Sequence, residues 1–162
     1  MSSLEHPLIV TDKGLEESGN LNKIKSILGE NDFEHEIFSE IEPNPKDKSI
    51  EEGVEFARNE GIKSIIGFGG GSPMDAAKLI SMLLTNEGKL HEYIGVDKVE
   101  KRSLPFATIP TTSGTGSEVT FSAVFTDTRR KIHSKESIRS HFICPDIALV
   151  GALYNVVQIF SK

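Results

Sequence analysis

The chain has 162 residues, a formal net charge of −6, 37% hydrophobic and 26% charged side chains, and one cysteine. That length is enough for one domain with a sizeable core, and the composition is that of an ordinary soluble globular protein. The acidic balance disfavours nucleic acid or an anionic membrane as partner, and no apolar run approaches a membrane span. The single cysteine excludes an intrachain disulfide, and no basic-then-apolar leader opens the chain, so cytoplasm is the expected compartment.

Pro7 to Val10 is a short apolar run that reads as a strand. Asp12 then falls at a strand's carboxyl end, where open α/β sheets bind ligands. It can cap the following helix or accept the hydroxyls of a ribose. Leu21, Ile24, Ile27 and Leu28 have helical spacing, with Gly29 as an expected stop. Phe33 to Phe38 alternates and predicts a second strand. Pro43-Asn44-Pro45 is a rigid loop, because two prolines fix the backbone around Asn44. Asn44 is there either as a turn residue or as a donor to a ligand. Ile50, Val54 and Ala57 mark the next helix, ending near Gly61.

The centre of the sequence is Ser64-Ile65-Ile66-Gly67-Phe68-Gly69-Gly70-Gly71-Ser72-Pro73-Met74-Asp75-Ala76-Ala77-Lys78. It predicts a buried strand, a glycine turn and a helix, with Ser72 as N-cap, Pro73 at the first helical position and Asp75 completing a capping box. Gly69, Gly70 and Gly71 let backbone come close to a ligand. A helix N-terminus facing such a gap is a phosphate site, although a tight turn that only packs helix on strand would share the pattern. The spacing is not that of a Walker A loop. It also departs from the dinucleotide fingerprint, since Ser72 stands at the third glycine.

Phe106 to Ile109 predicts another buried strand. Thr111, Thr112, Ser113, Thr115 and Ser117 follow it, with Gly114 and Gly116 among them. Such a loop can wrap a polar ligand or serve as a surface linker. Phe121 to Phe125 predicts a strand, Thr126 to Arg130 a hairpin turn, and Lys131 to His133 the returning strand. Ile147 to Val150 predicts a last buried strand. The fold class is therefore α/β, a Rossmann-like parallel sheet with helices on both faces. Residues 1–150 form the domain, and 151–162 are a tail without a match.

The motifs Val10-Thr11-Asp12, Pro43-Asn44-Pro45, Gly69 to Lys78 and Pro110 to Thr120 occur in the order found in iron-containing (group III) alcohol dehydrogenases. The chain resembles the nucleotide-binding half of that family. The resemblance implies a dehydroquinate synthase-like N-terminal domain, with the helical C-terminal domain absent. It implies NAD as cofactor, with NADP disfavoured by Asp12, and reversible hydride transfer between an alcohol and NAD(P). By position, Asp12 and Asn44 would hold the adenosine ribose, and Gly69, Gly70, Gly71 and Ser72 would cradle the pyrophosphate. Asp75 would reach toward the nicotinamide, and Thr111, Thr112 and Thr115 would line the adenine and pyrophosphate path. Val124 and Lys131 would close the ribose side, although Lys131 can also be a solvated basic residue of its hairpin. The family's iron or zinc would be held by one Asp and three His in the helical domain, so no metal ligand and no catalytic residue is assigned within this chain. His6, His35, His91, His133 and His141 have no metal-site spacing, and Cys144 reads as a packing residue. The expected protein is an oxidoreductase fragment inactive alone, with self-association through an exposed cleft face. The alternatives are a non-catalytic dinucleotide-binding module and a glycerol dehydrogenase-like enzyme.

Overall fold

The computed structural model describes residues 4–31, 33–129 and 131–151. The predicted tail from residue 152 onward lies outside them. The chain begins as strand and helix in alternation: β1 (Pro7–Val10), α1 (Lys13–Glu17), α2 (Asn20–Glu30), β2 (Glu36–Phe38), α3 (Asp47–Asn59), β3 (Ser64–Gly69) and α4 (Gly71–Thr85). After α4 come β4 (Gly95–Val96), β5 (Phe106–Pro110), β6 (Ser122–Asp127), β7 (Ser134–Arg139) and β8 (Ile147–Ala148). Short 3-10 turns cover Leu90–Tyr93, Ser117–Val119 and His141–Ile143.

Five strands pair in parallel in the order β2-β1-β3-β5-β8. The alternation within each strand sends side chains to opposite faces. Leu8, Val10 and Ile65 join Ile50, Val54, Ala76 and Ile80 of α3 and α4 in one core. Ile9, Ile66 and Phe68 join Leu21 and Ile24 of α2 in the other. Both faces of the sheet are thus covered by helices, as a buried parallel sheet requires. Gly67 sets the closeness of α4, because a Cβ there would stand 3.1 Å from that of Ala77. A smaller sheet of order β4-β7-β6 packs beside α4, with β6 and β7 antiparallel.

Several expected boundaries move. Gly29 lies inside α2, and Asn31 ends that helix by donating its side-chain N–H to the Ile27 carbonyl at 2.7 Å. Ile27 is exposed, so only part of the predicted stripe reaches the core. The second strand is confined to β2, and Phe33 before it is exposed. The returning hairpin strand starts at Ser134 rather than Lys131, because Asp127 pairs with Ser134 at the end of the β6–β7 ladder. β8 pairs with β5 but is exposed rather than buried. Among the described residues it is one edge of the sheet, with β2 at the other.

Candidate functional site

The strand order reverses between β1 and β3: the chain steps from β1 to β2 on one side, then returns to place β3 on the other. Loops leaving two adjacent strands in opposite directions open a crevice at their carboxyl ends. A cleft of about 820 Å³ lies there. Its walls come from Asp12 after β1, Glu40 to Pro43 after β2, Gly70 to Pro73 after β3, and Thr111 and Thr112 after β5.

The glycine turn forms one wall. Gly69 has φ +143°, and a Cβ there would come within 2.9 Å of Pro73 Cγ, so glycine is required. α4 starts two residues before the expected place, with extended Gly70 as N-cap and no side-chain capping bond. Ser72 is therefore inside the first turn, and Pro73 is third rather than first. The capping box is absent for the same reason. The Ser72 hydroxyl, released from capping, accepts the Asn44 N–H at 3.2 Å. The first bond of α4 runs from the Met74 N–H to the Gly70 carbonyl at 3.3 Å. The amides of Gly71 and Ser72 precede it, as unpaired donors of a helix start do. A Cβ on Gly70 would stand 3.2 Å from Thr112 Oγ1, and one on Gly71 3.8 Å from Thr115 Cβ. The absence of side chains at both positions keeps the passage between the turn and the hydroxyl loop open.

Asp12 is the N-cap of α1, where Oδ1 accepts the Leu15 N–H at 3.0 Å, and it also lines the cleft. The cap and the cleft position coexist. Asn44 adopts φ 58° between its prolines, so the loop's rigidity is used to hold a left-handed turn. Its N–H is committed to Ser72, and Thr126 donates to the neighbouring Pro45 carbonyl at 2.8 Å. Asn44 therefore fastens the rim and is not itself part of the cleft wall.

Asp75 is held away from the cleft wall. Its carboxylate accepts the Ser117 hydroxyl and, at 3.0 Å, the Val124 N–H. Beside it Lys78 is fully buried, 3.6 Å from Asp75 Oδ1. The ammonium donates to Ser117 Oγ at 3.2 Å, Thr120 Oγ1 at 3.1 Å and the Ser122 carbonyl at 2.8 Å. Burial pushes Lys78 below the ordinary lysine value, with Asp75 opposing. This knot ties α4 to both ends of the Ser117–Ser122 segment. The sequence showed Lys78 only as one more residue of a helix. No local pattern marked it, because at helical spacing Lys78 falls opposite Ala76, Ile80 and Leu83.

Of the expected cofactor residues, the cleft brings together Asp12, Gly70, Gly71, Ser72, Thr111 and Thr112. Gly69, Asn44 and Thr115 stand directly behind or beside these. Asp75 and Val124 meet each other in the knot. Lys131 is exposed in the β6–β7 turn and does not line the cleft.

A second polar cluster joins residues far apart in sequence. His91 Nε2 is 3.1 Å from Asp47 Oδ2 and 3.5 Å from Asp127 Oδ1, all three side chains being almost inaccessible. Thr128 donates to both oxygens of Asp47, and Arg129 forks onto Asp127 at 2.7–3.3 Å. The Arg129 hydrogen bonds hold the Asp127 carboxyl below the usual carboxylate range, with His91 adding. Among the described residues this is the one grouping of three side chains with metal-ligand spacing. Its donors are already engaged, and its cavity shares no wall residue with the glycine cleft. It clasps α3, the Leu90–Tyr93 turn and β6, and does not fit the metal that the resemblance implies. The linear spacing of histidines could not reveal it, since two of the three members are aspartates.

The profile of the iron-containing alcohol dehydrogenase family matches residues 1–152. Alcohol dehydrogenase 4 of Schizosaccharomyces pombe is 40% identical over 132 residues, covering 82% of this chain and 31% of that protein. An NAD-dependent methanol dehydrogenase of Bacillus methanolicus is 38% identical over 143 residues, covering 88% and 37%. A crystal structure of a 1,3-propanediol oxidoreductase superposes with a TM-score of 0.89 at 37% identity, covering 94% of this chain and 39% of that one. The chain belongs to the iron-containing alcohol dehydrogenase family and carries its N-terminal α/β fold. It spans less than two-fifths of the length of these relatives.

Proposed function

We propose that this chain is the NAD(H)-binding half of an alcohol dehydrogenase that moves hydride between a small alcohol or aldehyde and the nicotinamide. The observation that carries this reading is the convergence of four strand ends on one cleft at the sheet's switch point, with the α4 N-terminus in its wall. The residues fit a dinucleotide. The Gly71 and Ser72 amides and the positive end of α4 suit a pyrophosphate. The hydroxyls of Thr111 and Thr112 supply neutral donors opposite. Asp12, one strand over, would accept ribose hydroxyls through the oxygen that Leu15 does not use, and its charge would disfavour a 2′-phosphate. The nicotinamide, when bound, supplies the hydride acceptor. The chain's own part is to hold the phosphates, orient the ribose and fix the hydroxyl loop through Lys78. The family's iron would need ligands other than the described residues, so no step here is assigned to a metal.

The exposed apolar side chains of Val119, Phe121 and Phe142 support self-association or docking along the face beside β8. No helix among the described residues is long and apolar enough to cross a membrane.

Calorimetric titration with NADH, run beside alcohol oxidation with added ferrous iron or zinc, tests the reading. Binding without turnover is expected. Absence of binding would leave only shared descent. Asp12→Gly is expected to bring NADPH affinity closer to that of NADH. Equal discrimination in the variant and the parent would remove Asp12 from that role.

A further inference from the structure

Asp12 does not stand alone at its end of the cleft. Lys13 and Glu40 line the same wall, and Lys13 Nζ lies 2.7 Å from Glu40 Oε2. The backbone of Glu40 bridges that of Asp12, so the two carboxylates come from directly paired positions at the ends of neighbouring strands. Glu42 is a third acidic wall residue, and its carboxylate is taken by Lys46 at 3.1 Å. Lys13 is thus the one cation among the described wall residues, set between two acids. Glu40 raises the affinity of Lys13 for its proton, through their hydrogen bond first and its charge second.

Lysine beside the adenosine ribose is the side chain that a 2′-phosphate would recruit, because an ammonium and a phosphate dianion attract strongly. Here that ammonium is already matched by a carboxylate. An incoming 2′-phosphate would have to displace Glu40 and then remain beside the carboxylate it displaced. A ribose 2′-hydroxyl faces no such demand. Both members of the pair are more than half exposed, so Lys13 could turn to another anion if Glu40 did not hold it.

Resting on the dinucleotide reading above, we propose that Glu40 is a cofactor-selectivity residue, which excludes NADPH by occupying Lys13 at the ribose end of the cleft. It acts beside Asp12 and separately from it. Asp12 repels the phosphate directly, whereas Glu40 removes the cation that would otherwise receive it.

The test compares NADH and NADPH binding by calorimetry in the parent chain, Glu40→Gln, Lys13→Met and the double variant. Glu40→Gln is expected to raise NADPH affinity relative to NADH by about five- to tenfold, the size expected when one charge-assisted contact is gained. Adding Lys13→Met should cancel that gain. An unmoved ratio in Glu40→Gln, in a parent that binds NADH, would overturn the proposal. A gain that survives Lys13→Met would overturn it too, because Glu40 would then act as bare charge without Lys13. A parent that does not bind NADH would instead strike the dinucleotide reading beneath it. Repeating the Glu40→Gln titration at high salt should shrink the gain, as screening of an exposed contact requires.

Discussion

Two lysine–carboxylate pairs flank the glycine turn, and they do opposite work. Lys13–Glu40 is short, at 2.7 Å, and lies in solvent on the cleft wall. Lys78–Asp75 is longer, at 3.6 Å, but the lysine is wholly buried and three further oxygens surround it. The shorter pair is the less consequential for folding. Exposed charges are screened and lose side-chain entropy when they pair, while a buried charge left unpaired has no water to fall back on. The buried pair builds the platform, and the exposed pair lies on the cleft wall, where its partner can be changed without touching the core.

The largest effect that would sharpen this contrast is expected from Lys78→Met. Removing the cation leaves the Asp75 carboxylate, the two hydroxyls and the Ser122 carbonyl without their common partner. The loss should be about 3–5 kcal/mol, the range for breaking a buried ionic network from one side. Urea unfolding checks it. A variant as stable as its parent would mean that the knot is dispensable. The same lysine gives the stability curve a sign at alkaline pH. Its folded pKa lies below the ordinary 10.5, so between those values the unfolded chain binds more protons than the native one. Stability then rises with pH across that window, and the penalty of burying the charge is fully present below it. The rise should be absent in Lys78→Met.

Gly70→Val should be felt mainly in binding. Gly70 has an ordinary backbone conformation, but a side chain would enter the 3.2 Å approach to Thr112 Oγ1. NADH affinity is expected to fall at least about tenfold, roughly one lost hydrogen bond to a charged group. Calorimetry measures it, with the urea midpoint as the control for folding. Smaller still is Arg129→Met at the clasp. Arg129 is the main reason that Asp127 stays ionised below the usual carboxylate range. A lowered carboxyl stabilises the fold above its unfolded pKa and loses that contribution as pH falls through the folded one. Without Arg129 the loss begins nearer pH 3.8. The acid-unfolding midpoint should therefore move up by about half a pH unit, as expected for a single linked carboxylate.

The alternation of apolar runs with helical stripes made the parallel sheet legible, because burial on both faces leaves few other arrangements. The glycine turn, the Asp12 position and the hydroxyl loop were legible as well, since each is a local pattern at a strand's end. Networks formed by tertiary contact were not. Nothing near Lys78 in sequence announces Ser117, Thr120 and Ser122, and nothing near His91 announces Asp47 and Asp127. Helix caps were legible only where one side chain decides them. Asp12 caps α1 as its residue type suggests. Ser72 does not cap α4, because the Asn44 N–H from another loop takes its hydroxyl and Gly70 can start the helix without it.

Lys13→Met is the smallest expected change and the one that most directly tests the contrast. Its charge sits on a side chain 63% exposed, facing a carboxylate 53% exposed. Water already solvates both partners, so deleting the pair exchanges one favourable arrangement for another of nearly equal free energy. The urea midpoint should coincide with that of the parent, at low salt and at high salt alike. A loss approaching that of Lys78→Met would mean that the pair supports α1 against the end of β2. Its availability to a phosphate once Glu40 is removed would then be the first conclusion to fall. Coincident midpoints leave Lys13 a residue whose partner can be changed without touching the fold, which is what selection between two cofactors at that wall requires.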